Sequence, residues 1–177
     1  MSNQSEKYDA ATISLHWITA LLVVVLWVIG RTAGSLPRGA FRGGYWSTHV
    51  VLGFALAALF LVRIGWRSTA GRGLPAADAG IVHVLAKASH YGLYLLLLVV
   101  LVLGVANAFV RGFHLYGLFS LPQLGDPESR KPITHWHGLV ANILLGLAAF
   151  HALAALVHHF LLRDGVFRRM MPGPRPE

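Results

Sequence analysis

Five histidines punctuate the last apolar stretch of the chain, Pro132 to Leu162: His135, His137, His151, His158 and His159. The stretch holds 31 residues without an Asp, Glu, Lys or Arg. A bilayer core takes about 20 apolar residues as a helix, so this run can span it. At about 100° per residue, the step from His137 to His151 returns to within about 40° of its starting direction, and the step from His151 to His158 to within about 20°. Three imidazoles therefore share one stripe, the first two about 21 Å apart along the axis. His135 and His159 fall off it. Ionisable groups inside a membrane are costly and mark a cofactor or an ion or proton path, and imidazole is suited to either task.

Composition narrows the choice. Of 177 residues, 55% are hydrophobic and 12% charged, against roughly 25% charged in an average soluble domain. The mean hydropathy is +0.59, that of an integral membrane protein, and residues 1–177 read as a single membrane domain. With no cysteine, thiolate metal sites, iron–sulfur clusters, disulfides and c-type haem attachment are excluded. The net charge of +8 does not signal nucleic-acid binding, because the basic residues sit at the ends of apolar runs, where membrane topology puts them.

Four elements must position the histidines. A polar head leads without a cleavage pattern into a first helix, about Ile13 to Gly30. A breaker-rich loop through Gly34, Pro37, Gly39, Gly43 and Gly44 follows. The second helix runs from about Trp46 to Ile64 and closes on Arg63 and Arg67. Ile81 to His90 is a mild helical pattern expected to lie in the interface before the third span, about Tyr91 to Val110. A polar loop to Lys131 precedes the fourth span, and a basic, proline-containing tail follows Arg163. Four spans with short loops predict an all-α, up-down-up-down four-transmembrane-helix bundle.

Orientation follows from the loop cations. Nine lie on one side (Lys7, Arg63, Arg67, Arg72, Lys87, Arg163, Arg168, Arg169 and Arg175) and six on the other (Arg31, Arg38, Arg42, Arg111, Arg130 and Lys131). Both termini are thereby expected in the cytoplasm. The outer loops carry only Asp126 and Glu128 as acids, so the outer face is positive and would attract a small anion.

Depth then sorts the ligands. His16 lies just inside the cytoplasmic end of the first helix and His151 in the inner half of the fourth. His49 opens the second helix at the outer face, where His137 also lies. The expected pairs are His16 with His151 and His49 with His137, two bis-histidine sites of the kind that hold two b-type haems. Gly53, Gly138 and Gly146 would leave room for flat rings. A haem iron with both axial positions taken has no vacancy for oxygen and serves electron transfer. His90 and His158 fall near the cytoplasmic boundary on neighbouring helix ends. There they could hydrogen-bond quinone carbonyls and deliver protons. His83, His114, His135 and His159 are expected at interfaces.

The same residues carry a family likeness. Ile13 to Trp17, the His49-Val50 opening of the second span, His90 to Tyr94, Trp136-His137 through Ala141-Asn142, and the fourth-helix residues His151, Ala154 to Leu156 and His158 to Phe160 resemble the bacterial cytochrome b561 family. So does Arg169 to Pro172 in the tail. The resemblance covers almost the whole chain. It implies four transmembrane helices in the bacterial inner membrane, two haem b groups on the pairs above, and quinone contacts at His90 and His158. It also implies a superoxide:ubiquinone oxidoreductase, which oxidises periplasmic superoxide to dioxygen and passes the electrons to ubiquinone. Two other readings compete. One is a membrane b-type cytochrome subunit relaying electrons between a hydrogenase- or dehydrogenase-like partner and the quinone pool. The other is a haem-free transporter or channel with a histidine proton path.

Overall fold

A computed structural model describes residues 7–76 and 79–173. Arg175, counted for orientation, and Pro174 and Pro176 of the tail lie outside the described residues. Four long helices dominate: α1, Ala10–Thr32; α2, Ala40–Thr69; α3, Gly80–Arg111; and α4, Arg130–Val157. All four are long and apolar enough to cross a membrane. Many large apolar side chains are exposed along them, among them Leu21, Leu61, Leu98 and Leu153. Such surfaces suit a lipid solvent and not water.

Each helix begins or ends differently from the expectation, for identifiable reasons. Asp9 starts α1 three residues early by accepting hydrogen bonds from the Thr12 backbone N–H at 2.8 Å and the Thr12 hydroxyl at 2.7 Å. The helix α2 begins at Ala40, so Gly43 and Gly44 are helical and not loop. The fully buried Ser47 explains this in part: its hydroxyl donates to the Gly43 carbonyl and accepts from the Tyr116 N–H, each at 2.9 Å. Tertiary anchoring outweighs the roughly 1 kcal/mol that glycine costs inside a helix. The expected interfacial segment before the third span is instead the first part of α3, one helix of 32 residues. At about 1.5 Å per residue it is about 48 Å long, well beyond the bilayer core.

A feature the sequence did not announce lies between α3 and α4. Residues His114–Leu115 (β1) and Phe119–Ser120 (β2) pair antiparallel. The turn between them places Tyr116 and Gly117 at positive φ, and the Leu118 N–H closes it on the Leu115 carbonyl. Through Ser47 this hairpin is fastened to the start of α2.

Packing is closest between α3 and α4 and between α1 and α2. Leu26, Leu56, Phe60, Leu97, Val100 and Leu144 form the buried centre, with contributions from all four helices. Leu144 stands seven residues from both His137 and His151, about 10 Å along the axis from each. An apolar layer therefore divides the bundle into two compartments, outer and inner in the orientation expected from the loop cations. The tail folds back over the inner end. There the Arg169 carbonyl accepts from the Tyr8 N–H, the Met170 carbonyl from Trp17 Nε1, and the Pro75 carbonyl from Arg169 Nη1.

Candidate functional site

At the outer end, His49 of α2 and His137 of α4 face each other with ring centroids 6.2 Å apart and planes at 80°. At the inner end, His16 of α1 and His151 of α4 face each other at 6.4 Å and 67°. These are the two partnerships that depth selected. A metal ion bonded to two imidazole nitrogens at about 2 Å each, with about 1 Å more from nitrogen to ring centre, separates the centroids by about 6 Å. Both pairs fit that requirement. His90 of α3 also packs on His151, but at 5.2 Å, about 1 Å too close to admit an ion between them.

The outer pair is built on two glycines that the sequence reading passed over. His137 Nδ1 donates to the backbone carbonyl of Val100 at 3.0 Å, which fixes the tautomer and leaves Nε2 without a proton. The ring reaches that carbonyl because residue 104, one turn further along α3, is glycine; a Cβ there would lie 3.0 Å from His137 Cε1. The arrangement recurs on α1. A Cβ at Gly30 would lie 3.4 Å from His49 Cε1, and His49 Nδ1 is buried and turned toward the Leu26 carbonyl, one turn earlier, without closing a hydrogen bond. Glycine inside a Leu- and Val-rich helix costs about 1 kcal/mol, and that unexplained cost was the available signal.

Around the outer pair lies a cavity of about 550 Å³. Its walls combine apolar side chains from α1 to α4 with Gly53 and Gly138, and its mouth carries Arg31, Arg42 and Arg111. A Cβ at Gly53, Gly138 or Gly146 would meet nothing within 4 Å, so these positions do leave open space. Two polar links hold the walls. Trp27 Nε1 donates to Asn142 Oδ1 at 2.9 Å, and Arg111 donates to both Asn107 and Thr134.

The inner cluster adds one cation. Arg63 Nη2 sits 3.1 Å from His16 Nδ1, and its guanidinium lies 5.3 Å above the Tyr94 ring, a cation–π distance. Arg67, the other inner arginine of α2, instead lies over Tyr8 and donates to the Arg72 carbonyl. His90 packs one side on His151 and leaves the other exposed. His158 begins a final turn of π geometry, His158–Leu162, and its Nδ1 is bonded to the carboxylate of Asp164. His90 and His158, expected near the cytoplasmic boundary on neighbouring helix ends, thus contact His151 and Asp164 respectively. Of the remaining histidines, His114 lies in the hairpin, and His135 is exposed beside Trp136. His159 packs on Phe160 and Phe167.

Comparison with known proteins agrees with this architecture. The family model described as prokaryotic cytochrome b561 matches residues 7–173. A probable superoxide oxidase, CybB, of Yersinia pestis is 31% identical, covering 96% of this chain and 98% of its own. Cytochrome b562 of Cereibacter sphaeroides is 32% identical, covering 95% and 97%. Cytochrome b561 homolog 2 of Escherichia coli is 26% identical, covering 96% and 94%. With the match running through all four spans, this membrane b-type cytochrome belongs to the prokaryotic cytochrome b561 family.

Proposed function

We propose that the chain is a superoxide:ubiquinone oxidoreductase of the bacterial inner membrane, a single membrane domain over residues 1–177 with both termini in the cytoplasm. His49 with His137, and His16 with His151, would each hold one haem b iron, and the spacing of the pairs at 6.2 and 6.4 Å is the observation that carries the reading. Two haems so ligated supply one-electron transfer with no coordination position open to oxygen.

The chain's own groups have separate tasks. Arg31, Arg42 and Arg111 at the mouth of the outer cavity would raise the local concentration of an anionic donor. Superoxide needs only to give up one electron, so it requires no ligand site. On the inner side, arginine has no acceptor, so its contact makes His16 Nδ1 an acceptor and puts the imidazole proton on Nε2. Were His16 to hold the inner haem iron through Nε2, its proton would sit on Nδ1, and Arg63 would then be available to a haem carboxylate. His90, exposed on one side, and His158, tethered to Asp164, would face the quinone. The balance is two superoxide anions oxidised to two dioxygen molecules, with two electrons and two protons converting ubiquinone to ubiquinol.

The likeness to a probable superoxide oxidase supports the donor. Other relatives are named only as cytochromes, which keeps the electron-relay reading as the alternative. Supplying superoxide to the purified, haem-loaded protein with ubiquinone present separates the two. Ubiquinol should form in step with superoxide loss; superoxide that decays no faster than in buffer would reject the enzyme and leave the relay.

A further inference from the structure

We propose that Asp164 is the positioning residue for proton delivery to the quinone: it holds His158 Nδ1 so that the imidazole presents Nε2–H to the reducing carbonyl. This inference rests on the reading of His158 as a quinone contact.

The local chain is bent to make this contact. Six residues along a regular α-helix turn the chain about 600°, leaving positions 158 and 164 about 120° apart. Here the last turn widens to π geometry over His158–Leu162, and Arg163 then reverses the chain at φ 54°. A non-glycine residue in that conformation is strained. Single π turns recur at functional sites. The reversal carries the carboxylate back beneath His158, with Oδ2 on Nδ1. The other oxygen, Oδ1, accepts from the Val166 N–H at 3.0 Å, so the carboxylate is itself fixed.

Proton bookkeeping follows from the donor inventory. Partial burial raises the Asp164 pKa, but the hydrogen bonds from the His158 side chain and the Val166 N–H outweigh it and hold the group below the usual carboxylate range. An ionised carboxylate only accepts, so His158 Nδ1 must carry a proton and donate. That leaves Nε2 as the atom that exchanges protons. With Nε2 also protonated the ring is an imidazolium beside the carboxylate. It gives the Nε2 proton to one quinone oxygen as electrons arrive, and the neutral ring keeps Nδ1–H on Asp164. The two protons of each ubiquinol come from water at the cytoplasmic face, so His158 must be recharged between transfers. Exposure grades in the required direction: 15% of the His158 side chain is accessible and 32% of Asp164.

The arrangement is tested with the haem-loaded protein bearing Asp164→Asn, Asp164→Ala, Asp164→Glu and His158→Gln. Three quantities are measured: haem reduction by superoxide without quinone, steady-state ubiquinol formation, and equilibrium binding of a short-chain ubiquinone. Asn keeps an acceptor but drops the charge, so Asp164→Asn should lower kcat for ubiquinol about tenfold. KM, quinone binding and quinone-free haem reduction should stay within about twofold. Asp164→Glu should recover most of the rate, and Asp164→Ala should also weaken quinone binding by loosening His158. Normal ubiquinol formation in Asp164→Asn and Asp164→Ala, with His158→Gln inactive, would overturn the role of Asp164 and leave the quinone contact standing. Normal ubiquinol formation in His158→Gln would overturn the quinone contact, and this inference with it.

Discussion

His137 of α4 donates to the Val100 carbonyl of α3 at 3.0 Å, across a gap that exists only because residue 104 has no side chain. The bond leaves Nε2 unprotonated, as the proposed iron ligation needs, and a methyl group at 104 would meet the ring at 3.0 Å. Gly104→Ala gains up to about 1 kcal/mol in helix propensity while straining a hydrogen bond worth about 1 kcal/mol. The fold should therefore persist at near-unchanged stability, with haem content per chain falling toward one. Gly104→Val should complete the loss. Haem quantification and melting temperature check this; full occupancy of both haems in Gly104→Val would show that the contact does not set the site.

The two pairs stand about 21 Å apart along α4 with the Leu144 layer between them. They should load independently. His137→Ala should lose the outer haem only and His16→Ala the inner only, each halving the low-spin absorbance. Equal loss of both haems from either change would contradict the pairing by depth.

That pairing was legible because it depends on little more than helix rise and alternating span direction. Four apolar runs fix the depth of His16, His49, His137 and His151 before any side chain is placed, and the structure sets these residues opposite one another. His90 was harder. Its position near the inner boundary was readable, but its packing on His151 depends on α3 running unbroken from Gly80, and the mild pattern of residues 81–90 hid that continuity. The Asp164 contact had no local signal, since nothing in an arginine at 163 announces a left-handed reversal. The hairpin was equally silent, with strands of two residues each and a tyrosine at positive φ held by its neighbours.

Asp9 joins three segments. It caps α1, accepts from Trp66 Nε1 of α2 at 3.0 Å, and accepts from the Arg72 N–H at 3.0 Å. Partial burial raises its pKa, but the hydrogen bonds from Thr12, Arg72 and Trp66 dominate and hold it far below the usual carboxylate range. A depressed folded-state pKa means that the stabilisation is complete above the unfolded value of about 4. It fades as pH falls through the lower folded value. Asp9→Ala should cost about 1 kcal/mol through the lost cap, with its melting temperature converging on that of the parent only in strong acid. A difference already gone at pH 5 would remove Asp9 from this role.

The arginines at the outer mouth should act on rate and not on haem content. Arg31, Arg42 and Arg111 line the cavity beside His49 and His137, while Arg38 is not among its lining residues. Attraction at this range is screened over about 10 Å at 0.1 M salt and about 30 Å at 0.01 M, and steering commonly multiplies on-rates by ten or more. Arg31→Gln with Arg42→Gln should therefore slow haem reduction by superoxide several-fold at 0.01 M salt, and much less at 0.5 M. Arg38→Gln should have a smaller effect at either. Arg111 is left in place because its bonds to Asn107 and Thr134 brace α3 against α4. Stopped-flow rates across the salt series decide the matter: a double variant that matches the parent at low salt would exclude steering through this mouth.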